Sequence, residues 1–193
     1  MLVLKFASNI KKNNNLKQLD LVHITKTGGT SVEDWGAQNH IKWSYRNVGY
    51  LKKFKRTRFM GRACWHTPPR YFPVNPYENK ITFMIVRNPY TRLISEYYCP
   101  WSGSKQAQLM SKIEFNMWIR NLIKKNDVVS GVPQYLYLPV NHVIYFENMQ
   151  NDFSNLLKIY KITLDPTLPH SNKSKFKGSR FSTNDFDLSL IHI

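Results

Sequence analysis

The sequence is poor in the features that mark several classes of protein. Its only two cysteines, Cys64 and Cys99, cannot form a disulfide framework or a zinc site made of four cysteines. A single disulfide between them remains possible, but two free thiols in a reducing compartment are the simpler interpretation. No apolar run reaches the roughly 20 residues that span a bilayer, and the opening residues, MLVLKFASNIKKNNN, soon turn polar. We therefore expect no signal peptide or anchor, and a soluble cytoplasmic protein of viral or bacterial origin.

Acidic residues are also scarce. Twelve Asp and Glu face 28 Lys and Arg, which gives a net charge of +16. Such an excess attracts polyanions, whether nucleic acid, an acidic glycan or a phosphorylated cofactor. The densest run is KKFKRTR at 52–58, which a solvated basic face explains equally well. The charge thus indicates a class of partner and says nothing about the fold.

The rest of the composition is that of a globular chain, with 42% hydrophobic and 21% charged residues in 193. This length predicts one compact domain. We expect it to cover 19–193, preceded by a polar lead at 1–18 that is flexible or forms an edge element. We see no internal repeat.

A strand followed by a turn and then a helix is predicted three times. Apolar β-branched runs end near Ile24, Val86 and Phe146, and each precedes a segment with helical spacing of apolar residues. The third run, HVIYF at 142–146, is expected to be a buried strand. One more helix is predicted at Met110–Lys124, where it is suggested by Ile113, Met117, Trp118, Ile119 and Leu122, and a core helix is its simplest interpretation. Repeated units of this kind favour an α/β fold with a central parallel sheet flanked by helices.

The first turn, KTGGTS, combines a lysine, two glycines and hydroxyl side chains after a strand. In open parallel sheets such loops lie where ligands bind, and glycines followed by a helix start suit an anion. The nucleotide triphosphatase loop places its lysine after the last glycine, whereas Lys26 precedes both, and the dinucleotide fingerprint G-x-G-x-x-G is absent. From the residues alone, the loop either binds a phosphate or forms a tight structural turn.

Two segments together resemble the sulfotransferase superfamily, and specifically its carbohydrate sulfotransferase-like branch. HITKTGGTS at 23–31 is similar to the family loop H-x-P-K-T-G-G-T-S, and VRNPYTRLISEYY at 86–98 is similar to its R-N-P-x-x-R-x-x-S motif. The resemblance implies the P-loop-like sulfotransferase fold as a single domain. It also implies 3′-phosphoadenosine 5′-phosphosulfate (PAPS) as sulfuryl donor, with adenosine 3′,5′-bisphosphate as product and no metal.

The resemblance also implies roles for individual residues. The family's 5′-phosphosulfate contacts fall on Lys26, Thr27, Gly28, Gly29, Thr30 and Ser31, and its 3′-phosphate contacts on Arg87 and Ser95. Softer matches are YFENMQNDF at 145–153 and LPHSNKSK at 168–175, the latter adding Asn172 and Lys175 as cofactor contacts. The chain has Thr25 where the family usually has proline, and it is shorter than is common in the family.

Sulfuryl transfer needs a cation near the bridging oxygen of the donor and a base for the acceptor proton. Lys26 is the expected cation. We expect His66 in ACWHTPPRYF to be the base, since imidazole titrates near neutrality and family members often have a catalytic histidine between the two motifs. Glu33 and Glu96 are reserve bases that would otherwise be exposed helix carboxylates.

The predicted function is therefore transfer of a sulfuryl group from PAPS to an acceptor hydroxyl, which we expect on a glycan. Two alternatives remain open: a nucleotide-dependent small-molecule kinase and a non-enzymatic basic protein that binds polyanions. Nucleic acid is a less favoured partner, and neither the acceptor nor the oligomeric state can be read from the sequence.

Overall fold

The computed structural model of the chain describes residues 18–47, 49, 64–99, 110–125, 131–171 and 181–187. The basic run at 52–58 lies outside the described residues. The strands are β1 (Leu19–Val22), β2 (Ile81–Val86) and β3 (His142–Tyr145), and the longer helices are α1 (Gly29–Gln38), α2 (Pro89–Tyr97), α3 (Lys112–Lys125) and α4 (Met149–Ile159).

The three strands form a parallel sheet in the order β1-β2-β3. Leu19 pairs with Ile81, and Met84 pairs with Val143. Because the strands run parallel, their carboxyl ends and the loops that lead to the following helices lie at one edge of the sheet. The fold confirms the predicted α/β class and the parallel sheet.

Alternation along the strands assigns one set of side chains to each face of the sheet. Leu19, Leu21, Phe83 and Ile85 pack on one face with residues of α1 and α4, among them Trp35 and Phe153. Val22 and Met84 pack on the other face against Tyr77, Val132 and Tyr137. A third cluster joins α2 and α3 through Tyr97, Phe115 and Ile119. The sheet is therefore covered on both faces, as parallel sheets require.

Helix α2 begins where the sequence indicated a break. The Asn88 side chain accepts from the backbone N–H groups of Tyr90 and Thr91 at 3.0 and 3.4 Å, and Pro89 occupies the first helical position. Asparagine as N-cap and proline at N1 are both favoured because they satisfy or remove orphan donors. The Arg-Asn-Pro sequence thus ends β2 and starts α2 within a few residues.

The structure refines the predicted core helix and corrects the burial expected for the third strand. The face of α3 that is buried carries Phe115, Ile119 and Leu122, whereas Ile113 and Met117 are 74% and 56% exposed. The strand β3, expected to be buried, lies at the edge of the sheet that the described strands form. Its Ile144 is buried, whereas Val143 and Tyr145 are 40% and 59% exposed. In both cases the apolar residue types were read correctly, but the side covered by a neighbour depends on tertiary packing.

Candidate active site

The loops after β1 and β2 contact each other directly. Arg87, the first residue after β2, donates from Nη1 to the carbonyl oxygen of Lys26 at 3.2 Å. Since β1 and β2 are adjacent and parallel, the two predicted phosphate motifs lie side by side at the carboxyl edge of the sheet. The structure therefore brings together the residues that the sequence separated by about sixty positions.

The first loop has a defined and partly strained backbone. Lys26 has φ of 60° and Gly28 has φ of 88°, and the left-handed region is unfavourable for a lysine. Thr27 is buried and its hydroxyl donates to the carbonyl of Ile24 at 2.9 Å. Its hydroxyl thus closes the loop, and what Thr27 offers a ligand is its backbone N–H. A strained non-glycine residue in a loop is typical of functional sites.

Helix α1 begins at Gly29 with no side chain capping its first N–H groups. Gly28 is the N-cap residue, and its carbonyl accepts from the N–H of Ser31 at 3.0 Å. Uncapped N–H groups and the helix dipole attract an anion. The half-exposed side chains of Lys26 and Thr30 belong to the same loop and helix start, so charge and hydroxyl groups accompany the backbone donors.

Arg87 is held from several sides. Its Nε donates to Thr91 Oγ1 at 3.1 Å, and its guanidinium lies 4.2 Å from the centre of the Phe146 ring. The Gln134 side chain brackets its backbone, accepting from its N–H at 2.9 Å and donating to its carbonyl at 2.7 Å. Burial lowers the pKa of Arg87 below its ordinary value, and nearby Glu147 opposes that shift. The guanidinium is thus fixed in place before any ligand binds.

Ser95, the predicted partner of Arg87, lies half-buried on α2. It follows Thr91 by four residues, so the two hydroxyls share a helix face. Because Thr91 contacts Arg87, that face is turned toward the guanidinium. Sequence reasoning missed Gln134 and Phe146 as supports of this arginine, because they are about fifty and sixty residues away along the chain.

Arg92 is a structural clamp that sequence reasoning also missed. Its side chain is buried and donates from Nε and Nη2 to the carbonyl and Oγ1 of Thr25, both at 2.9 Å, and from Nη1 to the carbonyl of Val132 at 3.0 Å. Burial lowers its pKa, which nearby Tyr137 and Glu96 oppose. Thr25, which replaces the family's usual proline, supplies two of the three acceptors. The available signal was an arginine on the inner face of a helix, where a charge must be paired.

His66 ends a short 3₁₀ turn at Cys64–His66 and reaches the end of β1. Its Nε2 accepts from the indole Nε1–H of Trp65 at 2.9 Å, and its Nδ1 lies 3.2 Å from the carbonyl of His23. An indole nitrogen only donates, so Nε2 is unprotonated and Nδ1–H donates to His23. Burial, with His23 the next cause, lowers the pKa of His66 well below 6.5. The imidazole is therefore neutral at physiological pH.

His23 and Glu33 form a buried pair beside this histidine. His23 Nδ1 lies 2.9 Å from Glu33 Oε1, and the two side chains are 6% and 2% exposed. The rings of His23 and His66 meet edge to face with centroids 4.4 Å apart. Glu33 was expected as an exposed helix carboxylate or a reserve base; it is instead committed to His23. The pair supports the loop rather than facing solvent.

Glu96, the other reserve base, is also buried rather than exposed, with 1% of its surface accessible. Neither of its carboxylate oxygens has a hydrogen-bond partner in the part of the chain that the structure describes. It lies on α2 one turn after Arg92, to which it is electrostatically coupled. A carboxylate so enclosed cannot take a proton from a bulky acceptor without a change in structure.

The model of the sulfotransferase family matches residues 17–187. The chain belongs to the sulfotransferase family. No curated protein and no solved structure is significantly similar to it.

In this sulfotransferase family member the glycines of the loop have packing roles that the sequence did not show. A Cβ on Gly29 would lie 2.5 Å from Cδ2 and Nε2 of His23, and one on Gly28 would lie 3.0 Å from Met149 Sδ and the Phe146 ring. The glycines were expected to admit an anion. They also leave room for side chains that pack against the loop, namely His23 beside Gly29, and Phe146 and Met149 beside Gly28.

The segment LPHSNKSK at 168–175, called the late segment below, contacts helix α1 through Ser171. The backbone N–H of Ser171 donates to Ser31 Oγ at 3.3 Å, and its hydroxyl donates to Asp34 Oδ2 at 2.6 Å. Asp34 also pairs with Arg46. Asn172 and Lys175, the predicted cofactor contacts of this segment, lie outside the described residues.

Metal ligands do not cluster in the described part of the chain. No group of three or more His, Cys, Asp or Glu side chains there could hold a metal ion. None of the helices in the described ranges is long and apolar enough to cross a membrane.

Proposed function

We propose that this family member transfers the sulfuryl group of PAPS to an acceptor hydroxyl, with a glycan as the acceptor. The observation that carries the proposal is the contact between the two anion motifs, Arg87 Nη1 to the carbonyl of Lys26 at 3.2 Å. A nucleotide that carries anionic groups at both its 5′ and 3′ positions needs two adjacent anion-binding sites.

The donor set fits such a nucleotide. For the 5′ side, the chain offers the uncapped N–H groups at the start of α1, the ammonium of Lys26, and hydroxyls of Thr30 and Ser31. For the 3′ side, it offers a guanidinium already held by Thr91 and Phe146; Arg87 can bind a phosphate through two parallel hydrogen bonds. In the proposal Ser95 joins Arg87, and Asn172 and Lys175 add contacts from the late segment.

The proposed role of Lys26 is to stabilise the charge that develops on the bridging oxygen. The donor, when bound, supplies a sulfur that exchanges its bond to this oxygen for a bond to the acceptor oxygen. The left-handed backbone at Lys26 (φ 60°) and the contact of its carbonyl with Arg87 hold the residue in one orientation before binding. Preorganised charge of this kind is the largest single contribution in many enzymes.

His66 is the proposed base. The hydrogen bond from its Nδ1–H to the His23 carbonyl leaves Nε2 as the nitrogen that accepts the acceptor proton. The lowered pKa keeps that nitrogen unprotonated at neutral pH, which a base requires, although it also reduces basicity. The neighbouring ring of Trp65 and the prolines at 68–69 would form a wall against which a sugar stacks.

The charge of the chain supports an acidic acceptor. A net charge of +16 would draw an acidic glycan toward the site. The same charge favours the second candidate, a protein that only binds polyanions. That candidate predicts binding that weakens steeply with salt and does not depend on Lys26 or Arg87.

Calorimetry with adenosine 3′,5′-bisphosphate tests the proposal. The purified protein should bind it, and Lys26→Ala and Arg87→Ala should each weaken binding at least tenfold, since each removes a charged contact worth about 1.5–3 kcal/mol. Lys158→Ala is the matched control, because Lys158 lies exposed in the last turn of α4 and should leave binding unchanged.

Turnover is then measured with labelled PAPS and desulfated heparin, with and without magnesium. Transfer without magnesium supports the sulfotransferase, whereas tight binding of ATP with magnesium would support a kinase. Absence of binding to adenosine 3′,5′-bisphosphate, or equal binding by all four proteins, would refute the proposed function.

A further inference from the structure

Trp65 and His66 are adjacent residues whose side chains are hydrogen-bonded to each other. The indole Nε1 lies 2.9 Å from His66 Nε2, and both residues belong to one 3₁₀ turn whose first residue, Cys64, is buried. The two rings are tilted by 54° with centroids 5.5 Å apart. The contact is thus a directed hydrogen bond rather than ring stacking.

This hydrogen bond occupies the only ring nitrogen that could act as a base. A neutral imidazole has one lone pair available for a proton. The Nδ1–H of His66 is engaged by the His23 carbonyl at 3.2 Å, so the lone pair belongs to Nε2 and points at the indole. An acceptor hydroxyl that is to lose its proton to Nε2 must take the place of the indole N–H.

The imidazole is held by contacts on the side away from the indole. The His66 ring packs edge-on against the ring of His23 at 4.4 Å, and His23 is held in turn by Glu33. The His66 carbonyl also accepts from Tyr137 Oη at 2.7 Å. Trp65 is partly exposed and packs against the buried cluster that contains Val22 and Met84, so freeing Nε2 requires the indole to rotate away from His66 while the imidazole stays in place.

His66 stays neutral whether or not the indole bond is present. Burial is the main cause of its lowered pKa, followed by His23 in the first loop, Arg92 from α2 and Lys26 from the loop, whereas the hydrogen bond to the His23 carbonyl opposes the shift. Glu33 is paired with His23. The Nε2 lone pair therefore exists at neutral pH whether or not the indole occupies it.

We propose that the Trp65 indole N–H stands in for the acceptor hydroxyl, holding the Nε2 lone pair of His66 until the acceptor displaces it. The inference rests on the proposed function, in which His66 is the base. Trp65 is then a positioning residue that limits wasteful transfer to water.

In the transfer to water, a water oxygen bonds to sulfur, the bond from sulfur to the bridging oxygen breaks with its electron pair on that oxygen, and the water proton passes to Nε2. Sulfate and adenosine 3′,5′-bisphosphate are the products.

The hydrogen bond itself is tested by NMR, without donor or acceptor. When His66 is protonated, Nε2 becomes a donor and can no longer accept, so the Trp65 indole N–H signal should shift with the same apparent pKa as the His66 ring signals. Trp65→Phe should raise the pKa of His66, because a bond that favours the neutral form is lost. Trp118→Phe is the control, since Trp118 packs on Tyr97 in the α2–α3 cluster; it should leave the titration unchanged.

The gating role is tested by hydrolysis of labelled PAPS with water as the only acceptor. Trp65→Phe should hydrolyse the donor about fivefold faster than the native protein, the factor expected for removal of one neutral hydrogen bond. His66→Gln should abolish hydrolysis in both backgrounds, and Trp118→Phe should match the native rate.

An unchanged His66 titration in Trp65→Phe, or a hydrolysis rate equal to or below the native one, would overturn the inference and leave the indole as a wall only. Binding of adenosine 3′,5′-bisphosphate separates this result from failure of the proposed function. A Trp65→Phe variant that binds the product normally yet hydrolyses the donor no faster refutes the gate alone, whereas a native protein without binding refutes the function.

Discussion

Gly29 offers the sharpest test of how this loop is built, because its replacement by alanine adds one methyl group at a known place. The new Cβ would lie 2.5 Å from Cδ2 and Nε2 of His23, well inside van der Waals contact. The His23 ring cannot retreat easily, since it is buried and its Nδ1 lies 2.9 Å from Glu33 Oε1. The substitution must therefore displace the ring, break the pair, or shift α1.

Each of these responses has a cost. Overpacking costs about 1–3 kcal/mol, and leaving a buried charged group without its hydrogen bond costs about 1–3 kcal/mol. We expect Gly29→Ala to lower the free energy of unfolding by about 3 kcal/mol, measured by urea denaturation. That is a large part of the roughly 5–15 kcal/mol typical of a domain.

The same substitution should behave differently once His23 is removed. In a His23→Ala/Glu33→Gln background no ring opposes the methyl group and no buried charge is left behind. Alanine is up to about 1 kcal/mol better than glycine inside a helix, so Gly29→Ala should be neutral or slightly stabilising there. A coupling free energy of about 3 kcal/mol is expected; a cost within about 1 kcal/mol of zero in both backgrounds would refute the steric argument.

Lys26, Phe146 and Asp20 each give a further prediction. Lys26→Ala and Lys26→Gly should both reduce sulfuryl transfer about a hundredfold or more. The glycine variant should be about 1 kcal/mol more stable to urea than the alanine variant, because φ at this position is 60°. Equal stability of the two variants would contradict a strained loop. Phe146→Leu should weaken binding of adenosine 3′,5′-bisphosphate about threefold in calorimetry, since the ring 4.2 Å from the Arg87 guanidinium contributes about 0.5–1 kcal/mol; an unchanged affinity would show that Arg87 needs no such support. Burial raises the pKa of Asp20 from 3.8 to about 6. The stabilising effect of its protonated form is therefore present below about pH 4 and lost as pH rises through about 6, and Asp20→Asn should remove this loss of up to about 3 kcal/mol. Urea denaturation across that pH range measures the loss, and a native profile parallel to that of the variant would be the contrary result.

The order of the elements and the two loops proposed as the site could be predicted from the residues alone. Strands ending at glycine or Arg-Asn-Pro breaks, each followed by helical spacing, are local patterns, and local patterns survive folding because neighbours along the chain remain neighbours in space. For the same reason the position of Lys26 before Gly28 distinguishes this loop from a triphosphatase loop, and the similarity of both motifs to one family is visible in the residues alone.

Which side chains meet could not be predicted in this way, because it depends on the tertiary fold. Thr25 receives Arg92, Arg87 rests on Phe146, and Glu33 turns inward to His23, and these partners are between ten and about seventy residues apart in the chain. Burial also decided states that composition cannot show, such as the neutral imidazole of His66 with its lone pair held by Trp65. Pairing and burial depend on which surfaces the parallel sheet brings into contact, and no local pattern specifies that.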